Sequence, residues 1–456
     1  MIKVSFFTLG CRLNQSETAV LEGVFREKGF AVVPFTSSAD VAVINSCTVT
    51  AAGDSDARKA VNKAVRLNAL VKVAVIGCQA QVQKTKILAW PNVCWVVGTA
   101  YKMRLVELIG QDHFSGKKAQ VVVPPIRRGA FTLPVSKVSA VSDAVRTRVN
   151  IKIQDGCDNF CAYCEVPYAR GRSRSRVFND IMAEAGALAE AGYKEVVITG
   201  VNVGDYAQGD KTLIHVVKGI EKIAGIERVR ISSIEHTKMP LELVKLMRQP
   251  HKLCRFLHIP LQSGCDRTLR RMGRDYTCAQ VEGLVHKLIR LVPQLMIGTD
   301  VIVGFPGETE RDFEATRLFL EALPVHYFHV FSYSDRERAR SRKFRNAVPA
   351  QEIDRRSKVL HALSEDKRNA FFQGLLGTEQ AVLFEQKKNE HWIGHTDNYV
   401  TIKMLSSKPL KNVLMPVILR NIDGGSVLAT PNGPLDYDGP DLQDQRPYRG
   451  SEFGEL

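Results

Sequence analysis

The 456-residue sequence contains no apolar run approaching the roughly 18 residues of a membrane-spanning helix. Its N-terminal apolar stretch, residues 4–9, is too short for the hydrophobic part of a secretory leader. These absences predict a cytoplasmic protein, and a reducing compartment gives its ten cysteines no disulfide framework to build. Metal binding or catalysis is then the better use for them. Acidic residues are also in deficit: 48 Asp and Glu against 63 Lys and Arg give a formal charge of +15. That surplus favours a polyanionic partner, nucleic acid first, through phosphate neutralisation and counterion release, although surplus cations also simply keep proteins soluble. No internal repeat is present. With 45% hydrophobic and 24% charged residues, the composition excludes a largely disordered chain.

Length predicts two or three domains. The first ~110 residues alternate strand-like runs (4–9, 41–44, 73–76) with amphipathic helices (16–28, 54–68), for which Ser16 and Asp54 are the expected N-caps. An irregular, proline-bearing stretch follows. Six further strands are expected at 149–154, 195–199, 228–233, 255–259, 297–303 and 326–333, most separated by helices such as 179–191, 240–248, 279–291 and 310–323. Short β pieces at 380–384, 399–403 and 413–419 close the pattern. The expectation is an α/β protein with an open parallel sheet domain over 1–112, a linker over 113–142 and a partial (β/α) barrel over 143–373. A small antiparallel β-barrel over 374–434 and a disordered tail over 435–456 follow.

Directly after the expected strand 149–154 comes Cys157-Asp158-Asn159-Phe160-Cys161-Ala162-Tyr163-Cys164. Three thiolates on one loop can hold three irons of a 4Fe-4S cluster and leave the fourth iron without a protein ligand. A structural zinc site wants four closed ligands, and this loop shows no fourth. Cys11, Cys47 and Cys78 each sit just past the carboxyl end of an expected parallel strand, next to Gly or Ser. Those ends line one edge of an open sheet, where ligands are bound, so three distant thiols can converge on a second cluster. The bland alternative is small apolar residues at strand ends, and it is adopted here for Cys94, Cys254, Cys265 and Cys278.

The spacing of the loop resembles that of the radical S-adenosylmethionine (SAM) superfamily, and with both triads the chain resembles the methylthiotransferases over nearly its whole length. The matching segments are Leu9-Gly10-Cys11-Arg12-Leu13-Asn14-Gln15, Asn45-Ser46-Cys47-Thr48-Val49-Thr50, Gly77-Cys78 and the run from Cys164 through Arg176. Thr199-Gly200-Val201-Asn202, His258-Ile259-Pro260-Leu261-Gln262-Ser263-Gly264 and Gly304-Phe305-Pro306-Gly307-Glu308-Thr309 also match. Glu165, where relatives carry an apolar or hydroxyl residue, and Gln79, in place of an aromatic, depart from the pattern. The resemblance implies a radical SAM core between an N-terminal methylthiotransferase domain and a TRAM-like RNA-binding barrel. Residues 10–15 and Gly394-His395-Thr396-Asp397-Asn398-Tyr399 are most similar to the branch acting on threonylcarbamoyl-adenosine beside the tRNA anticodon. Sister branches act on isopentenyl-adenosine or a ribosomal protein.

By that resemblance, a 4Fe-4S cluster on Cys157, Cys161 and Cys164 binds SAM and cleaves it to a 5′-deoxyadenosyl radical. A second cluster on Cys11, Cys47 and Cys78 carries sulfur, and a second SAM supplies the methyl group. Tyr163 is placed to contact the adenine of SAM or simply packs in the loop. Gly200, Asn202, Ser232 and Gln262, at or after strand ends, are weaker SAM contacts. The partners implied are tRNA, an electron donor and a sulfur source. The Arg-rich segments 170–176 and 336–345 would hold tRNA phosphates or be solvated faces. A noncatalytic RNA-binding protein with structural zinc is the rival, and a radical SAM enzyme without sulfur insertion leaves the first triad unexplained.

Overall fold

The computed structural model describes residues 1–112, 119–135, 147–248 and 251–433. The expected tail from 435 onward lies outside the described residues, as do 113–118 and 136–142 of the expected linker. Six parallel strands, β1 (Lys3–Thr8), β2 (Ala31–Val33), β3 (Val41–Ser46), β4 (Lys72–Gly77), β5 (Val93–Val97) and β6 (Gln120–Val122), form a sheet in the order β2-β1-β3-β4-β5-β6. β3 and β4 are almost wholly buried, which explains their unbroken Val, Ile and Ala runs: both faces carry helices. β6 falls inside the stretch read as linker and covers the sheet edge beyond β5.

Two expected helix starts are corrected. The first helix is Arg12–Glu27 with Cys11 at its N-cap, so Ser16 lies inside it. The second is Ala51–Leu67, capped by Thr50, whose Oγ1 accepts from the Gly53 amide at 3.1 Å. Asp54 turns instead toward Arg336.

Six parallel strands also form the middle of the chain, in two three-stranded ladders. Arg148–Lys152, Glu195–Thr199 and Arg228–Ile231 make one; Phe256–His258, Met296–Val303 and Tyr327–Ser332 make the other. Hydrogen bonds from Val229 N–H to Lys252 O at 2.7 Å, from Cys254 N–H to Val229 O at 2.8 Å and from Ile234 N–H to His258 O at 3.0 Å help join them into a partial barrel. Residues Gln154–Asp155 leave the parallel ladder and pair antiparallel with Arg174–Ser175. Along Met296–Val303 the period-2 alternation separates two environments: Ile297, Val301 and Val303 enter the large core beneath the helices, while Met296, Asp300 and Ile302 face inward. The chain ends in a closed five-stranded barrel, Glu379–Lys388, His391–Thr396, Thr401–Leu405, Ser426–Pro431 and Leu414–Asp423 in spatial order. Its core includes Phe256 and Met296 from the preceding strands, so the two barrels share apolar contacts. In the described residues no helix is long and apolar enough to cross a membrane.

Candidate active site

Strands β1, β3 and β4 are neighbours in register, and their carboxyl ends bring Cys11, Cys47 and Cys78 to one edge. Cys47 and Cys78 are buried and Cys11 is exposed. Gly10, at φ +85°, explains its own identity: a Cβ there would stand 2.6 Å from Cys47 Sγ. Gly77, at φ +94°, leads into Cys78 with the same backbone requirement. Burial pushes the Cys47 thiol up to about 12, and Cys78 and Cys11 push it further in the same direction. Burial likewise raises Cys78, against the pull of Arg170 and Lys102. Three sulfurs brought to one sheet edge offer a donor set for a cation, which binds them as thiolates.

The second triad lies on the loop after Gln154–Asp155. The amides of Asn159 and Val166 donate to Cys157 Sγ and Cys164 Sγ at 3.5 and 3.4 Å, and Arg274 Nη1 donates to Cys161 Sγ at 3.1 Å. Burial raises Cys157 to about 11 and Cys164 to about 12. N–H donors aimed at sulfur are a means by which proteins tune iron–sulfur centres. Among the described residues no three cysteines have sulfurs within 4.8 Å of one another. Zinc bonds of about 2.3 Å would draw tetrahedral thiolates to roughly 3.8 Å. The sulfurs therefore stand wider apart than a single tetrahedral zinc ion would hold them.

The two triads meet through the residues that follow them. Thr48 Oγ1, next to Cys47, donates to Glu165 Oε2, next to Cys164, at 2.9 Å. Arg336 bonds both Glu165 and Asp54, at 3.4 and 2.5 Å, so the acidic departure at 165 has a cation of its own. Gln79, the other departure, is buried and donates to Gln83 at 3.2 Å. A deeper network lies alongside: Glu17 pairs with Lys102, with Lys152 at 2.6 Å and with Arg170 at 3.2 Å, and Asp155 binds Lys152 and Arg170. Two buried carboxylates face three buried cations, and the surplus positive charge lies beside Cys78 and Cys11, both of which act on Arg170. At Cys78 that charge opposes burial, and burial prevails.

Glu17 supplies a stability prediction. Burial alone would raise its carboxyl, but Arg170, Lys102 and Lys152 outweigh burial and hold it well below its ordinary 4.5. Its contribution is therefore fully present above the unfolded-state value and is lost as pH falls through the folded one. Glu17→Gln leaves the cations undercompensated and is expected to cost about 3–5 kcal/mol at pH 7. Urea unfolding of the apoprotein at pH 7 and pH 3 checks this, with the gap between wild type and variant narrowing at the lower pH.

The expected SAM contacts lie at the carboxyl ends of the first ladder. Asn202 Oδ1 and Ser232 Oγ are buried without a hydrogen-bond partner among the described residues, which leaves two polar atoms for a ligand. Gly200 has no space for a side chain, since a Cβ would meet Gln154 and Val203 at 3.0 Å. Gln262 adopts φ +75° and ties its amide to Asp300 O at 2.7 Å. Tyr163 is half-buried against the small apolar cluster of Ala162, Met272, Ile302 and Phe305.

The Arg-rich segments divide. Arg170 and Arg176 are almost fully buried, the latter bonded to Asp180 at 2.5 Å and to Glu184, and Arg336 is buried as described. These three cannot meet phosphates, because internal carboxylates already hold them. The exposed remainder does form a cationic surface: Arg340, Lys343 and Arg345 line a groove of about 580 Å³ with Arg270 and Arg271. Arg340 anchors it to the cysteine loop by donating to Phe160 O at 3.0 Å.

Sequence reasoning missed three groups. Arg274 carries no spacing signal that relates it to Cys161. His258, Asp300 and His329 come together from three adjacent strands, with Asp300 Oδ1 at 2.9 and 3.1 Å from the two imidazoles. Arg12 meets Tyr399, 387 positions away.

Residues 151–320 match the radical SAM superfamily and residues 3–98 match the uncharacterized protein family UPF0004. The threonylcarbamoyladenosine tRNA methylthiotransferase MtaB of Aquifex aeolicus is 37% identical, the match spanning 91% of this chain and all of that protein. A tRNA-2-methylthio-N(6)-dimethylallyladenosine synthase of Ehrlichia canis is 31% identical over 84% of this chain and 87% of its own length. Among solved structures, the radical SAM methyltransferase TsrM of Kitasatospora setae superposes with a TM-score of 0.55 at 16% identity over 73% of each chain, a likeness of fold. Sulfur-lined loops at the carboxyl ends of two parallel sheets, in a chain with these relatives, lead to one conclusion: the protein belongs to the methylthiotransferase family of radical SAM enzymes, whose cofactors are SAM and 4Fe-4S clusters.

Proposed function

We propose that this enzyme adds a methylthio group to C2 of N6-threonylcarbamoyladenosine next to the anticodon of tRNA, in the cytoplasm. Cys157, Cys161 and Cys164 would hold the SAM-binding cluster, and Cys11, Cys47 and Cys78 the sulfur-bearing one. Bound there, these groups supply a radical able to activate a C–H bond that has no acidic proton, together with the sulfur and methyl to be transferred. The observation that carries the reading is the Thr48–Glu165 hydrogen bond, because it puts the neighbours of one triad against the neighbours of the other. Both triads then border one substrate space.

The chain's own residues divide the remaining work. Asn202 and Ser232 offer their unpartnered oxygens to SAM, with Tyr163, Gly200 and Gln262 as further contacts. Residues 1–112 form the sulfur-bearing unit, 143–373 the radical core, and 374–434 grip RNA. The groove of Arg270, Arg271, Arg340, Lys343 and Arg345 takes tRNA phosphates, which position the nucleic acid but select no base. An electron donor and a sulfur source come from outside the chain.

Incubating reconstituted enzyme with SAM and reductant on threonylcarbamoyl-tRNA, isopentenyl-tRNA and ribosomal protein tests the substrate. A methylthio adduct is expected by mass on the first alone. An adduct only on one of the others would replace the substrate while keeping the reaction, and colourless, zinc-loaded protein would end the enzymatic reading.

A further inference from the structure

Two stretches singled out in the sequence, residues 10–15 and 394–399, lie at opposite ends of the chain yet touch in the fold. Arg12 Nη2 donates to the Tyr399 hydroxyl at 2.9 Å, and its guanidinium carbon lies 5.7 Å from the ring centroid. Neighbouring arginines are committed to carboxylates: Arg148 to Glu385 at 2.9 Å, Arg230 to Glu195 at 2.6 Å and Arg255 to Asp397 at 2.7 Å. Among the described residues Arg12 makes no ion pair, and it is only half-buried. A guanidinium with most of its planar fork unused is suited to receive a carboxylate in bidentate fashion.

Its tyrosine partner is fixed in place. Tyr399 has φ +68°, a left-handed conformation uncommon for a bulky side chain, and its ring stacks on His395 with centroids 5.2 Å apart and leans on Phe256 at 4.8 Å. Burial would raise its hydroxyl, but Arg12, Arg148 and Arg230 prevail and hold it down at about 8. Arg12, Arg148 and Arg230 thus gather their guanidinium groups against the Tyr399 ring. Tyr327, whose hydroxyl burial raises while Tyr399 and Arg12 act on it in opposite senses, connects this aromatic cluster to the His258–Asp300–His329 group.

Resting on the substrate proposed above, we infer that Arg12, oriented by Tyr399, binds the carboxylate of the threonylcarbamoyl group and so selects the modified adenosine. The chemistry of the base fits the position. C2 must stand at the sulfur-bearing edge, and C6, which carries the N6 substituent, is separated from C2 by N1 alone. The residue that reads that substituent must begin at the sulfur edge and reach outward. Arg12 follows Cys11 directly and reaches to the terminal barrel. An isopentenyl group, having no charge, would leave the guanidinium without its counterion.

The test uses wild type, Arg12→Gln, Arg12→Lys and Tyr399→Phe on two tRNAs, one bearing threonylcarbamoyl and one bearing its carboxyl-amidated form, with iron content measured for each protein. Wild type is expected to lose about tenfold or more in kcat/KM on the amide, chiefly through KM. Arg12→Gln should treat the two tRNAs alike, Arg12→Lys should recover part of the preference, and Tyr399→Phe should weaken it. If Arg12→Gln loses iron, Tyr399→Phe and Arg12→Lys carry the comparison. A wild type indifferent to amidation, or a full preference surviving in the variants, overturns the inference and leaves the substrate standing. A wild type inactive on threonylcarbamoyl-tRNA overturns both.

Discussion

Replacing Cys157, Cys161 and Cys164 together by alanine is expected to reduce SAM cleavage to background while the protein retains about half its reconstituted iron. The three thiols lie on one loop between Asp155 and the helix Val166–Arg170, and their donors, the amides of Asn159 and Val166 and the guanidinium of Arg274, belong to the same unit. Cys11, Cys47 and Cys78 stand on a separate sheet whose cores are complete without that loop. Three thiols per 4Fe-4S core leave one iron open for SAM, and removing them removes that iron. Deoxyadenosine release under reductant and iron per chain give the two readings. Undiminished deoxyadenosine in the triple variant would end the assignment of this loop.

The converse variant, with Cys11, Cys47 and Cys78 all changed to alanine, is expected to keep making deoxyadenosine but to form no methylthio-RNA. The loop and the ligands proposed for SAM are untouched by these changes. What disappears is the donor set at the carboxyl edge of β1, β3 and β4, where Cys47 and Cys78 are buried and Cys11 is exposed. Mass spectrometry of the RNA product together with deoxyadenosine quantitation separates the outcomes. Normal methylthio-RNA from this variant would remove the triad from sulfur delivery.

Local pattern made much of this architecture legible. Unbroken apolar runs ending in Cys47 and Cys78 could only be buried parallel strands, and parallel strands place their carboxyl ends together. The features that escaped detection are those whose meaning depends on a distant partner. Arg170, Arg176 and Arg336 look like members of a solvated cationic run until Glu17, Glu184 and Asp54 are known to face them. The helix Ala350–Gln373 was hidden because its buried stripe includes Arg356 and Ser364, which blur the apolar period. Asp300 became a bridge between two histidines only through the register of three strands. Glu165 looked like an anomaly for the opposite reason: its compensation, Arg336, lies 171 positions away.

The Glu17 network also bears on the order in which the chain takes shape during synthesis. Glu17 leaves the ribosome 135 residues ahead of Lys152 and 153 ahead of Arg170. Until those residues emerge, Lys102 is its one network partner from the N-terminal sheet unit, and burying the carboxylate on that pair alone would be unfavourable. The nascent N-terminal sheet must therefore keep this edge in water and wait, with β1 and its helix in place, for the loop of the next unit to arrive. Cys78 borders the same edge, so this thiol, buried in the folded chain, stays open to water until docking closes over it.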